Sequence, residues 1–231
     1  QTVFEGATVT VLGTAGQYGA TFPATIDGFD VRGGDQQGFP GNINEIGGAP
    51  TGLPANVVTQ GGGIFVNGYA PYLRISNNVL QNNGGGYGGA IRVGTPNLPE
   101  PLTSNRNEFL KILNNRIVAN GGTTLAGGVG IFAGADSFEV AGNDICGNSS
   151  AEYGGGLSVY GYSPGGRIHH NRIYFNSSYD EGGGVMLAGQ LPADPTTLSP
   201  GTGPQDVYAN LIQSNRANDD GGGVRLLMAG N

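Results

Sequence analysis

The chain has 231 residues, of which 46 are Gly, 37% are hydrophobic and only 12% are charged, and its formal net charge is −7. The acidic balance lacks the Lys/Arg footprint that nucleic acid requires and disfavours an anionic membrane surface. Glycine without a G-X-Y period excludes collagen, and no stretch reaches the roughly 18 apolar residues of a membrane-spanning helix.

The chain opens QTVFEGATVT, without the basic n-region of a secretory leader, as a mature or excised segment would. Residues 7–12, ATVTVL, alternate with the period of a strand that buries one face. ATIDGFDVRGG, from Ala24, continues that pattern, with Phe29 at a position that becomes Asn in every later copy. Residues 35–60 form a Gly-, Pro- and Asn-rich excursion, and a loop of that length is expected to be functional or mobile.

From residue 61 two signatures alternate. The first, Gly-Gly-Gly-Φ-x-Φ with Φ apolar, appears as GGGIFV at Gly61, GGAIRV at Gly88, GVGIFA at Gly128, GGGLSV at Gly154, GGGVML at Gly182 and GGGVRL at Gly221. The second, Φ-x-x-Asn-x-Φ-x-x-Asn, begins at Ile75, Ile112, Val140, Ile168 and Val207. The period is about 26 to 28 residues, and two copies carry about ten more. Three Φ-x-Φ pieces fit each period, each too short for a helix and alternating like a strand. One turn cannot bury its apolar face alone, but stacked turns can.

The pattern therefore predicts an all-β fold, a right-handed parallel β-helix solenoid of about six coils of three short strands. It forms a single domain over 1–231, with a degenerate coil at 1–60 and regular coils over 61–231. At a strand spacing of about 4.8 Å, six coils make a rod roughly 30 Å long. Asn78, Asn115, Asn143, Asn171 and Asn210 are expected to stack as an internal ladder, because Asn tolerates the αL bend and bonds neighbouring backbone. The Gly triplets are expected to supply the sharp entry into the first strand.

The alternation over residues 24–231 resembles the pectate-lyase-like right-handed β-helix superfamily. GGAI at Gly88, together with the repeated [Ile/Val]-x-x-Asn, is also similar to the paired GGA[ILV] and FxxN repeats of bacterial polymorphic outer-membrane adhesins. The first resemblance implies a polysaccharide-active lyase, hydrolase or epimerase, whose acidic residues near the first strand bind Ca²⁺ or act on glycosidic bonds. The second implies an adhesive module at the cell surface. The chain contains no Asn-Thr-Asp, Gly-His-Gly or Arg-Ile-Lys run of the hydrolase type.

Several residues are candidates for chemistry. Glu152, Asp180 and Asp219 stand two residues ahead of Gly154, Gly182 and Gly221, and Asp180-Glu181 and Asp219-Asp220 are adjacent pairs. Carboxylates stacked about 5 Å apart repel by roughly 0.8 kcal/mol per pair even in water. Ca²⁺ held by Glu152, Asp180, Glu181, Asp219 and Asp220 would relieve that repulsion, as would neutralisation by Arg216 and Arg225. Asp180, Asp219 and Asp220 are also the candidates for acid–base work on a sugar. A solvated acidic edge is the plain alternative.

Two Pro-rich insertions, 94–107 and 188–205, should rise from one side of the rod, three coils apart, as decoration or as a partner-binding ridge. Tyr87, Tyr153, Tyr160, Tyr162, Tyr174 and Tyr179, with Phe65 and Phe132, would form either a sugar-stacking surface or packing between coils. Strand alternation should put one of His169 and His170 inward and one outward. The single Cys146 excludes an internal disulfide and fits a small buried filler.

The reading that follows is an extracellular or cell-surface structural or adhesive module of a larger bacterial protein. Its expected partners are an extracellular glycan or a surface protein, with Ca²⁺ as a candidate ligand; neither nucleic acid nor a membrane span is expected. The alternative is a polysaccharide-active enzyme, which requires a groove walled by the insertions, or by 35–60, where carboxylates and an Arg or Lys converge. The regularity of the repeat favours the first. The end GGGVRLLMAGN is the first strand of another coil, so further coils of the same signature are expected beyond Asn231.

Overall fold

The computed structural model describes residues 6–34, 62–96, 98, 102–192, 194 and 196–229. The excursion at 35–60 lies outside these residues. The described strands form four parallel sheets, and the chain visits them in a fixed rotation, which makes the fold a parallel β-helix. The first sheet stacks Val9–Val11, Ile64–Val66, Ile91–Val93, Val129–Phe132, Leu157–Tyr160, Val185–Ala188 and Val224–Leu227. The second runs from Thr25–Asp27 to Gln205–Tyr208 and the third from Asp30–Arg32 to Leu211–Gln213, each with six strands.

The three Φ-x-Φ pieces are these three strands. Each coil from the second to the sixth adds a fourth strand of two residues: Gly84–Gly85, Gly121–Gly122, Ser149–Ser150, Ser177–Ser178 and Arg216–Ala217. It contains no apolar alternation, so the hydrophobic pattern cannot announce it.

Inward positions stack like on like. Ile75, Ile112, Val140 and Ile168 pair in register and are fully buried, as are Leu80, Ile117, Ile145 and Ile173 in the third sheet. Burying such a side chain contributes about 1.5–3 kcal/mol, and the coil above and the coil below share in providing the cover. At Val207, in the last strand of the second sheet, the same register is exposed, and so is Leu226 in the last strand of the first sheet.

The triplets do more than turn the chain. A Cβ on Gly155 would lie 2.3 Å from the Ser177 carbonyl oxygen and 2.5 Å from that of Gly183, so adjacent coils pass too closely there for any side chain. In one coil the triplet is displaced from the expected place. Val129 pairs with Leu157 and Gly130 with Ser158, so Ala126-Gly127-Gly128 fills the triplet position rather than Gly128-Val129-Gly130. The difference of two residues preserves every inward and outward assignment.

The expected asparagine ladder is present. Asn115 donates its backbone N–H (2.9 Å) and its Nδ2 (3.0 Å) to Oδ1 of Asn143, and Nδ2 also reaches the Ile75 carbonyl at 2.9 Å. The same pattern links Asn78 to Asn115, Asn143 to Asn171 and Asn171 to Asn210. A second ladder, not anticipated, runs through Asn83, Asn120, Asn148, Asn176 and Asn215, five residues further along each coil. Phe29 takes the ladder position in the first coil, and its backbone N–H still donates to Asn78 Oδ1 at 2.9 Å.

The αL bend does not fall on the ladder residues. It falls one residue earlier, on Asn77 and Asn82, Asn114 and Ala119, Gly142 and Gly147, His170 and Phe175, and Ala209 and Ser214. The ladder Asn is thus free to point inward while its predecessor makes the bend. This overturns the in–out expectation for the histidines. Ile168 is the inward residue; His169 is half-buried on the outer face and His170, at the bend, is exposed. Cys146 is also half-buried on an outer face, in register with Val118 and Tyr174, and is not a core filler.

Candidate functional site

The acidic row stacks as its spacing implies. Glu181 N–H donates to the Glu152 carbonyl at 2.9 Å and Asp219 N–H to the Asp180 carbonyl at 3.0 Å, which sets Glu152, Asp180 and Asp219 on successive coils. Arg225 Nε lies 3.2 Å from Glu181 and its Nη2 3.2 Å from Asp220, so a cation from the first sheet neutralises the outer members. Burial, then the charge of Asp180, raises the pKa of Glu152. Among the described residues, no three His, Cys, Asp or Glu side chains are grouped so as to hold a metal ion.

The outer face of the first sheet is closed by aromatic packing. Tyr87, Leu125 and Phe132 form a second buried cluster, with Tyr153 and Tyr160 against it. Arg92 is buried beside it, its guanidinium 4.6 Å from the centre of the Phe65 ring and 4.9 Å from that of Tyr87. Burial lowers its pKa to about 9. Of the aromatic residues picked out by the repeat, only Tyr162 stands exposed at the corner where the insertions rise.

That corner, between the first and second sheets, holds the most site-like geometry. Counting back from the paired strands Arg74, Lys111, Glu139 and Arg167 places four tripeptides on successive coils: Tyr69-Ala70-Pro71, Arg106-Asn107-Glu108, Gly134-Ala135-Asp136 and Tyr162-Ser163-Pro164. Backbone bonds from Tyr69 N–H to the Asn105 carbonyl (3.0 Å) and from Gly134 N–H to the Tyr162 carbonyl (2.9 Å) hold the stack. The middle residues are buried: Asn107 Oδ1 accepts from Ala70 N–H at 3.1 Å and Ser163 Oγ from Ala135 N–H at 3.2 Å. Seven of the eight outer residues of these tripeptides, all but Pro164, line a groove.

The groove consists of two depressions that share Arg106 and Glu108 as lining residues. One, of about 380 Å³, runs past Tyr69 and Pro71 to Ala15 and Gly16. The other, of about 520 Å³, runs over Gly134 and Asp136 to Tyr162, Gln190 and Pro200, with Leu98, Leu102 and Ser104 along its wall. Gly134 lets the adjoining insertion pack closely at the floor; a Cβ there would lie 2.2 Å from Ser104 Oγ, and its φ is 89°.

The insertions wall the second part as expected, and each is tied at its base. Asn105 bonds both the N–H (3.0 Å) and the carbonyl (3.1 Å) of Thr95, and Ser199 Oγ donates to the Gln190 carbonyl at 2.8 Å. Gln190 Nε2 then reaches the Pro96 carbonyl at 3.3 Å, which joins the two insertions across the intervening coils.

Two carboxylates three residues apart show how local the electrostatics are. Burial works against the charge on Glu139, but hydrogen bonds from His169 (3.1 Å) and Lys111 (3.2 Å), with Arg167 at 3.3 Å, hold its carboxyl below the usual range. Burial, then the charge of Glu108, pushes the Asp136 carboxyl above that range, against a smaller pull from Arg106. Asp136 Oδ1 is buried and has no hydrogen-bond partner.

The structure therefore separates the expected candidates, Asp180, Asp219 and Asp220, from the groove, which is lined by Arg106, Glu108 and Asp136 instead. The sequence did carry a signal: Tyr69, Arg106, Gly134 and Tyr162 each stand nine residues ahead of a ladder asparagine. The residue type changes at every step, so a search for repeated residues passes over the row. Among the described residues, no helix is long and apolar enough to cross a membrane. No known family, characterised protein or solved structure significantly matches the chain.

Proposed function

We propose that this chain is an extracellular or cell-surface β-helix module that binds a glycan in the corner groove. The observation that carries the reading is the stacked row itself. Two exposed tyrosines, each followed by a proline, flank a polar centre of Arg106, Glu108 and Asp136 over three coil steps, about 14 Å. Amphipathic rings with hydrogen-bonding groups between them suit the apolar faces and hydroxyl edges of sugars. The tied insertions fix the wall in advance, which lowers the ordering cost of binding. The repeat's resemblance to pectate-lyase-like solenoids and to outer-membrane adhesin repeats agrees with a polysaccharide or cell-surface setting.

Affinity electrophoresis through gels cast with soluble polysaccharides tests the reading. Retardation by at least one polymer, lost in Tyr162→Ala, is expected; mobility unaffected by every polymer would contradict it.

The Glu108–Asp136 pair favours a second reading, a polysaccharide-active enzyme. A carboxyl whose pKa is raised by burial and by the charge of a second carboxyl beside it is the kind of arrangement glycoside hydrolysis uses. Release of new reducing ends from a retained polymer, lost in Asp136→Asn, would decide for it.

A further inference from the structure

We infer that the groove selects uncharged polysaccharides and discriminates against polyuronates. The inference rests on the groove reading above and concerns which class of glycan it takes. The centre of the row holds two carboxylates, Glu108 and Asp136, against the single guanidinium of Arg106. Among the described residues, no lysine lines either part of the groove. A polymer with a carboxylate on every sugar would set its charges a few ångströms from both acids. The chain as a whole adds a net charge of −7 to that repulsion.

Hydrogen-bond direction points the same way. Glu108 and Asp136 both line the groove, and a carboxylate is an acceptor only. A sugar hydroxyl supplies a donor to such a group. A uronate carboxylate supplies none and adds repulsion. Tyr69 and Tyr162, at the two ends, stack on sugar rings whether or not these are charged, so the discrimination comes from the centre of the row and the affinity from its ends.

The test measures binding of two polymer classes to the whole chain at low and moderate salt. Xylan, galactomannan and mixed-linkage β-glucan are the uncharged probes; polygalacturonate and alginate are the polyuronates. The expected result is Tyr162-dependent binding of at least one uncharged polymer, with each polyuronate weaker by about tenfold or more at low salt. Added salt should narrow that gap by screening the repulsion. The Glu108→Gln/Asp136→Asn double variant, its fold checked by its denaturation midpoint, should gain about tenfold for polyuronates at low salt.

Equal or tighter Tyr162-dependent binding of a polyuronate by the native chain would overturn the charge selection and leave the groove reading standing. Tyr162-independent binding, or none of either class, would overturn the groove reading and this inference with it.

Discussion

Two corners of the same coil show opposite uses of a repeat. At the asparagine corner every copy from the second coil to the sixth is alike: a residue in αL, then an Asn whose amide bonds neighbouring coils, with a coil step of 28 residues wherever no insertion intervenes. At the insertion corner the residue pair changes at every step, and the row reads Tyr-Pro, Arg-Glu, Gly-Asp, Tyr-Pro across the same coils. The first corner satisfies buried polar groups and holds register, so the same residue recurs there once the coils are regular. The second rides on that register and places three different kinds of side-chain pair, over four coils, at a fixed spacing. A solenoid can vary one corner freely because the other is invariant.

The largest effect should come from breaking the invariant corner. Asn143→Ala removes the acceptor of the Asn115 N–H and of Asn115 Nδ2, all buried. Leaving such donors unpaired costs about 2–4 kcal/mol in total. Urea denaturation should show a loss of that size; a loss under about 1 kcal/mol would mean that water or a rearranged neighbour replaces the amide.

At the variable corner, Tyr162→Ala should move stability by less than about 0.5 kcal/mol, because the ring is exposed. It should weaken glycan binding roughly tenfold, as loss of one aromatic contact of about 1.4 kcal/mol requires. Equal losses of stability and binding would erase the distinction between the corners.

A smaller effect separates Glu139 from Asp136. The lowered pKa of Glu139 means that its contribution is present above the ordinary carboxylate range and lost as pH falls through its folded value. The raised pKa of Asp136 has the opposite sign: the ionised form disfavours folding at neutral pH, and the penalty is relieved as pH falls through its raised folded value. Denaturation midpoints across pH should show Asp136→Asn stabilising at neutral pH and Glu139→Gln destabilising there. The same sign for both would contradict the assignment.

The smallest effect concerns the αL row. Phe175 has φ 54° and is exposed, so Phe175→Gly should relieve bend strain. After the entropy cost of Gly, a gain of about 0.5 kcal/mol is expected in the denaturation midpoint. Destabilisation by 1 kcal/mol or more would show that the ring's packing against Tyr174 outweighs the strain.

The two corners also explain what the sequence made legible. Identical residues at fixed offsets, such as Asn78 to Asn210 and the buried Ile and Val, reveal the solenoid and its first ladder because each solves the same packing problem in every coil. The second ladder was present in the same spacing but needed the recognition that both asparagines face inward. The two-residue fourth strand has no apolar pattern to read. The groove was hidden for a different reason. Glu152, Asp180 and Asp219 attract notice because they repeat, and their repetition makes an edge partly neutralised by Arg225. Glu108 and Asp136 become a pair only when Arg106-Asn107-Glu108 and Gly134-Ala135-Asp136 are laid on adjacent coils.

Replacing residues 189–204 with the five-residue connection of the preceding coil, residues 161–165, tests the central claim most directly. The substitution removes Gln190, Pro200 and the far wall of the groove while keeping both strands that the insertion joins. Urea denaturation should give an unchanged m-value and a stability within about 1 kcal/mol of the native chain, because connection length alone costs little. Glycan retardation should be lost. A chain that still binds, or one whose cooperative unfolding collapses with the loop, would contradict a rod held by one corner and made functional by the other.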